Sequence, residues 1–356
     1  MQPTHKSHQD PPPPSGPEGP RPARRRLPTN LGSLRRLNGL PVDPFVLALL
    51  ATVGLAALLP ASGTAAEAVG GASTAAIALL FFLYGARLST REALEGLRHW
   101  RLHLTILACT FVVFPVLGLA AAKGLGPLLL TPQLASGLLF LTLVPSTVQS
   151  SIAFTSLARG NVPAAICAGS FSSLAGIALT PLLAALLLGG TAGGLSADAL
   201  LRIVAQLLVP FLAGQAARRW IAGLVGRHRK TLSYVDRGAI LLVVYTAFSE
   251  GMVRGVWHEA TPGRLAALLG VEAVLLAAVL ALTWYGSARL GFGREDRIAI
   301  QFAGSKKSLA AGLPMAGVLF GAQASLAVLP LMLFHQMQLM VCAVIARRRG
   351  ADATAD

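Results

Sequence analysis

Apolar runs of about twenty residues recur along this chain after residue 42, at roughly 43–60, 66–85, 102–122, 133–158, 162–188, 199–217, 238–253, 265–288, 298–320 and 325–346. As a helix, one such run covers a hydrocarbon core of about 30 Å. Within that core only helices and closed barrels satisfy every backbone group. The pattern predicts an all-α membrane protein of about ten transmembrane helices. Only 13% of the 356 residues are charged, against about a quarter in an average soluble domain, so a water-soluble globule is excluded.

The formal net charge of +15 sits in short segments between apolar runs. A nucleic-acid binder would carry one basic stripe with interleaved aromatics, so no nucleic-acid partner is expected, and membrane lipid is. Counting alternate sides puts twenty-four basic residues with the amino terminus: Lys6 and the early arginines, then Arg87, Arg91, Arg98, Arg101, Arg159, the 218–237 group, Arg289, Arg294, Arg297 and Arg347–Arg349. Lys123, Arg202, Arg254 and Arg264 fall opposite. This positive-inside asymmetry predicts an even number of spans, both termini cytoplasmic, and residence in the plasma membrane.

Residues 1–42 carry Pro11–Pro14, Arg24–Arg26, Arg35 and Arg36 with almost no apolar periodicity. No core offsets the entropy of ordering them, and a disordered cytoplasmic tail is expected. The first apolar run has no small-residue cleavage site after it and reads as an uncleaved helix. Residues 347–356 read as a short cytoplasmic tail. Cys109, Cys167 and Cys342 each lie inside an apolar run without a ligand-spaced neighbour, so buried small hydrophobes are expected and no metal site.

Ten spans divide into five (43–188) and five (199–346). An odd number per half turns the halves into opposite orientations, so inverted repeats become available. The fourth span of each half is broken by small polar residues: Val144-Pro-Ser-Thr-Val-Gln-Ser-Ser151 in one, Gln301-Phe-Ala-Gly-Ser-Lys-Lys-Ser308 in the other. Matching interruptions point to a transporter binding site near the midplane.

Pro145 donates no amide hydrogen and its ring clashes with the preceding turn, so span four should kink or unwind. Ser146, Thr147, Gln149, Ser150 and Ser151 then present neutral oxygens to a cavity, suited to a hard cation or to a hydrogen-bonding substrate; the plainer alternative is a proline kink with hydroxyls bonded to their own helix. Lys306 and Lys307, between Ser305 and Ser308, are costly inside a membrane. They read as an anion-binding group, a proton-titrating group or a fixed charge in the place of a coupling cation, or else as a snorkelling pair flanking a loop. Glu272 lies deep in span eight, placed to pair with a lysine, relay a proton or make a structural interhelical bond. Glu250 is near an outer boundary. His335 and Gln338, three apart, share a helix face as a proton-sensitive patch or as an interhelical contact. Ser170, Ser172 and Ser173 read as packing residues.

The 144–151 run, continued by Leu157-Ala-Arg-Gly-Asn161 and Thr180-Pro181, resembles the fourth-to-fifth-helix region of the bile acid:sodium symporter family. Gly304-Ser-Lys-Lys-Ser-Leu-Ala310 with Gly312, Pro314, His335 and Gln338 is similar to its solute carrier family 10, member-seven-like bacterial branch. The resemblance covers residues 43–346. It implies two inverted five-helix repeats, helices four and nine crossing at their broken midpoints in a core domain beside a panel domain, and symporter-like alternating access for a small organic anion, often driven by sodium. It also implies that Gln301 stands where sodium-coupled members carry a glutamate. A neutral amide followed by two ammonium groups opposes a second cation, so Na+ and H+ both remain as coupling ions. No cofactor is implied. No catalytic pair, metal cluster or phosphate loop argues for an enzyme; the other readings are a non-transporting regulator of ion homeostasis or envelope synthesis and a cation/proton antiporter. Glycine and alanine saturate the helices and leave the oligomeric state open.

Overall fold

The computed structural model describes residues 44–87, 99–188, 197–255, 261–321 and 324–352. The expected tail over 1–42 lies outside the described residues, as do Arg91 and Arg98. The described chain is helical: α1 (Pro44–Leu58), α2 (Gly63–Arg87), α3 (Trp100–Gly124), α4 (Pro132–Leu143), α5 (Val148–Leu157), α6 (Val162–Leu188), α7 (Ala197–Arg227), α8 (Arg229–Val253), α9 (Pro262–Arg289), α10 (Arg294–Gly304), α11 (Leu309–Phe320) and α12 (Ala324–Asp352), with a single turn at Gly126–Leu129. Among the described residues no strand occurs.

Six helices, α2, α3, α6, α8, α9 and α12, are long and apolar enough to cross a membrane, and the α4–α5 pair, bent by 62°, makes a seventh. The remaining α1, α7 and the α10–α11 pair lie over the apolar runs at 43–60, 199–217 and 298–320. The outward faces of α1 and α7 are apolar too: Leu58 is 81% exposed, Leu201 68% and Val209 61%, as expected where hydrocarbon replaces water.

Local chemistry sets several boundaries. Thr131 before Pro132 and Thr261 before Pro262 each accept, through the side chain, the amide hydrogen three residues on. A hydroxyl N-cap followed by proline at the first helical position is a favoured start. Arg347–Arg349 form part of the end of α12, where cations face the negative end of the helix dipole.

Packing divides the helices into two groups. The first, α1, α2, α7 and α8, pack chiefly on one another. A Cβ on Gly85 would fall 2.0 Å from Phe211 O and one on Gly214 only 1.9 Å from Phe82 O, so α2 and α7 meet backbone to backbone, the approach small residues allow in membranes. The second group, α3–α6, α9, α10 and α12, surrounds the two helix breaks, while α11 and α12 also touch α8. Fully buried Phe114 and Phe334 meet edge to face at 6.0 Å within it. Of the cysteines, only Cys342 is buried; Cys109 and Cys167 are half-buried, because the apolar positions they occupy face outward in part.

Several of the helix ends that carry basic residues meet a neighbouring helix. Arg87 pairs with Asp236, Arg294 donates to Arg349 O at 2.6 Å, and Asn161 bonds both Glu295 O and the Asp296 carboxylate. Toward the other end, Glu250 pairs with Arg254 at 2.9 Å.

Candidate functional site: two broken helices sharing their caps

The site is best built from the carbonyls that each break frees. A helix ends with up to four carbonyls lacking a donor, and in a membrane interior each needs another partner. At the end of α4, Leu143 O accepts from Thr180 Oγ1 at 2.9 Å. Thr142 O and Val144 O accept from Lys307 Nζ at 2.6 and 2.9 Å. Pro145 O accepts from the Ser308 amide at 2.8 Å. At the end of α10, Gln301 O accepts from Ser305 Oγ and its amide, Phe302 O from Ser151 Oγ at 3.0 Å, and Ala303 O from Ser146 Oγ. Each break is thus capped largely by the other. The Ser146 amide finds Ser172 Oγ at 2.9 Å, and Thr147 Oγ1 donates to Lys307 O at 2.9 Å.

Room for this contact comes from α6. A Cβ on Gly176 would lie 2.8 Å from the Pro145 ring, and one on Gly169 3.1 Å from Val148 Cα. Ser172, read from sequence as a packing residue, also holds the break by a hydrogen bond. Ser170 bonds back to Ile166 O, a local contact.

Lys306 and Lys307 are both fully buried, in the extended link between α10 and α11, not on a helix. The Lys307 ammonium spends all three of its hydrogens on Thr142 O, Val144 O and, at 2.8 Å, Thr110 O. It also lies 4.3 Å from the centroid of the Phe114 ring. Thr110 O is available because α3 widens into a π-turn at Cys109–Val113. There the Phe114 amide bonds Cys109 O, and Pro115, next in line, has no hydrogen to give. π-turns of this kind are common at functional sites.

Lys306 is the counterpart. Its ammonium has no hydrogen-bond partner and lies 3.7 Å from the centroid of the Phe154 ring. On α5, Ser150 stands one turn before Phe154, its hydroxyl also unpartnered. The N-cap of α5, Thr147, makes no side-chain cap, having turned its hydroxyl to Lys307 O; the N-cap of α11, Ser308, caps Ala311 at 3.2 Å.

Around this crossing, the Gln338 amide nitrogen donates to Lys307 O at 2.8 Å and lies 2.9 Å from His335 Nδ1, itself 3.3 Å from Lys307 O, and Gln338 Oε1 accepts from the Lys307 amide at 2.9 Å. Gln301 donates to Leu280 O at 3.1 Å, and its oxygen is unpartnered. Two expected members stand apart. Gln149 is exposed. Glu272 is fully buried on α9 with both oxygens unpartnered, so it pairs with neither lysine. Thr110, Thr142 and Thr180 were absent from the sequence-derived set. Two of them contribute backbone carbonyls, which no side-chain pattern announces; Pro115, after a run of apolar residues, is the one available signal for the first.

Comparison with known proteins places the chain. The profile of the SBF-like CPA transporter family matches residues 43–350. "Uncharacterized protein PA2026" of Pseudomonas aeruginosa is 56% identical over 318 residues, covering 88% of this chain and 95% of that protein. "Putative symporter YfeH" of Escherichia coli is 49% identical over 308 residues, 86% of this chain and 92% of its own length. "Sodium/bile acid cotransporter 7" of Rattus norvegicus is 28% identical over 337 residues, 90% of this chain and 99% of that protein.

Proposed function

The chain belongs to the SBF-like CPA transporter family, and so to the bile acid:sodium symporter family that its broken helices resemble; on that premise we propose that it carries a small organic anion across the plasma membrane by secondary active transport. In this reading the helices form ten spans in two inverted five-helix repeats, 43–188 and 199–346, with both termini cytoplasmic.

The observation that carries the reading is the division of labour between the two lysines. Lys307 is satisfied by three carbonyls at 2.6–2.9 Å and serves as a resident cation at the negative end of α4. Two unit charges 4 Å apart repel by about 4 kcal/mol at an effective dielectric constant near 20. A sodium ion arriving beside Lys307, with Gln301 in place of a carboxylate, meets that repulsion uncompensated. The rat relative's name carries sodium; here the ammonium takes the ion's role, and proton exchange at a lysine is the coupling route left. Lys306 supplies the spare charge. With the Ser150 hydroxyl, the uncapped start of α5 and its positive dipole end, it forms a receptor for the acidic head of the substrate.

An antiporter needs a titrating carboxylate at the crossing, and among the described residues Glu272 stands outside it. Purified protein in liposomes tests the function: taurocholate, benzoate and succinate are offered under sodium, proton and no gradient. Saturable accumulation of one of them, sodium-independent and lost in Lys306→Met, is expected. Uptake no greater than in empty liposomes for all three would favour the regulator reading, and strict sodium dependence would remove Lys307 from its role.

A further inference from the structure

We propose that the arginine-rich end of the bundle holds a site for the phosphate headgroup of an anionic phospholipid, formed by Arg297 of α10 and Arg349 of α12 on the indole of Trp284 of α9, with Arg294 beside them. The guanidinium carbons of Arg349 and Arg297 lie 3.1 and 3.9 Å from the centroid of that one ring. Arg294 reaches across to Arg349 O at 2.6 Å, so three guanidinium groups from two helices gather at one point. Such crowding is repulsive.

Asp352 acts on Arg349 electrostatically, but among the described residues no carboxylate pairs directly with the cluster. Neither Glu295, Asp296 nor Asp352 forms an ion pair with any of the three arginines; Asp296 is occupied by the Asn161 amide at 2.7 Å. The Nε atoms of Arg297 and Arg349 are shielded from solvent and have no hydrogen-bond acceptor. Arginine forks match phosphate oxygens in a planar, two-bond geometry, which would supply the missing acceptors together with further negative charge. The depth is right for a lipid and not for an ion in bulk water. Trp284 is half-buried and its neighbour Tyr285 is 66% exposed, the pairing of aromatic residues found at headgroup level. Basic pockets between helices at this depth are recognised lipid sites.

Detergent-purified full-length protein is melted with phosphatidylglycerol, with phosphatidylcholine, and with phosphatidylcholine plus inorganic phosphate. Ligand at about a hundred times its dissociation constant should raise Tm by roughly 4 °C, with phosphatidylglycerol alone. Arg297→Gln and Arg349→Gln should each cut that rise by at least half, while Arg348→Gln, exposed on the same helix, should keep it. Should Arg349→Gln fail to fold, Arg297→Gln carries the test alone. An equal rise with phosphatidylcholine, an equal rise with inorganic phosphate, or an undiminished rise in Arg297→Gln would each overturn the proposal.

Discussion

Replacing Lys307 by alanine removes the ammonium that three carbonyls share, and the size of the effect follows from that geometry. Each buried carbonyl left without a donor costs about 1–3 kcal/mol, so the three together lose roughly 3–9 kcal/mol. Against this, the protein no longer buries an ammonium, whose effective cost is several kcal/mol. A net loss of about 3 kcal/mol is expected, or roughly 4 °C in Tm for a chain of this size. The vacated space is lined by Thr110 O, Thr142 O and Val144 O, the hard oxygen ligands a small cation prefers. Sodium at a hundred times its dissociation constant should therefore return about 2.7 kcal/mol, nearly the whole deficit. The assay is a thermal melt in detergent with sodium against potassium, for the native protein, Lys307→Ala and Lys307→Met. The alanine variant should lose stability and regain it in sodium. Lys307→Met keeps the stem that fills the space, and should lose stability without regaining it. The reasoning fails if Lys307→Ala melts with the native protein, or if the native protein itself shows the same saturable sodium response.

Gly214→Ala should lower Tm by at least 5 °C, since its Cβ would fall 1.9 Å from a backbone oxygen on α2 that no rotamer change can move; Gly223→Ala, on the same helix with open space around it, should be neutral in the same melt. Ser172→Ala takes away the acceptor of the Ser146 amide and should cost about 1–2 kcal/mol, read as a lower melting point. Lys306→Met should abolish uptake yet leave stability unchanged or higher, because an unpartnered buried ammonium is a burden on the fold; a marked fall in Tm would mean that the ammonium has a partner.

The membrane architecture was legible because apolar runs of helical length admit few other solutions. The break at Pro145 was legible for a steric reason, and the second break because two lysines interrupt an apolar segment. What escaped is mostly backbone. The π-turn in α3 depends on a hydrogen-bond shift between Phe114 and Cys109, and only Pro115 hints at it. Ser172 looked like a spacer because its partner, the Ser146 amide, exists as an orphan only once the helix has broken. Gln149 sits in the same polar run as Ser146 and Ser151 but turns outward, since α5 has resumed helical geometry there and adjacent residues diverge by about 100°. Glu272 appeared as a partner for a lysine on depth alone, and depth does not specify the face of a helix.

The mutual capping of the two breaks bears on how this protein is made. Val144 O and its donor Lys307 are 163 residues apart in the chain, and at about 5–20 residues per second the ribosome takes roughly eight to thirty seconds to bridge that interval. During that time α4 and α5 exist while Thr142 O, Val144 O and Pro145 O have no donors from α10–α11, and bare carbonyls are not tolerated against lipid. The nascent α4–α5 span must therefore wait in a hydrated or protein-lined setting, and it can settle into the bilayer interior only when the lysine-bearing segment arrives.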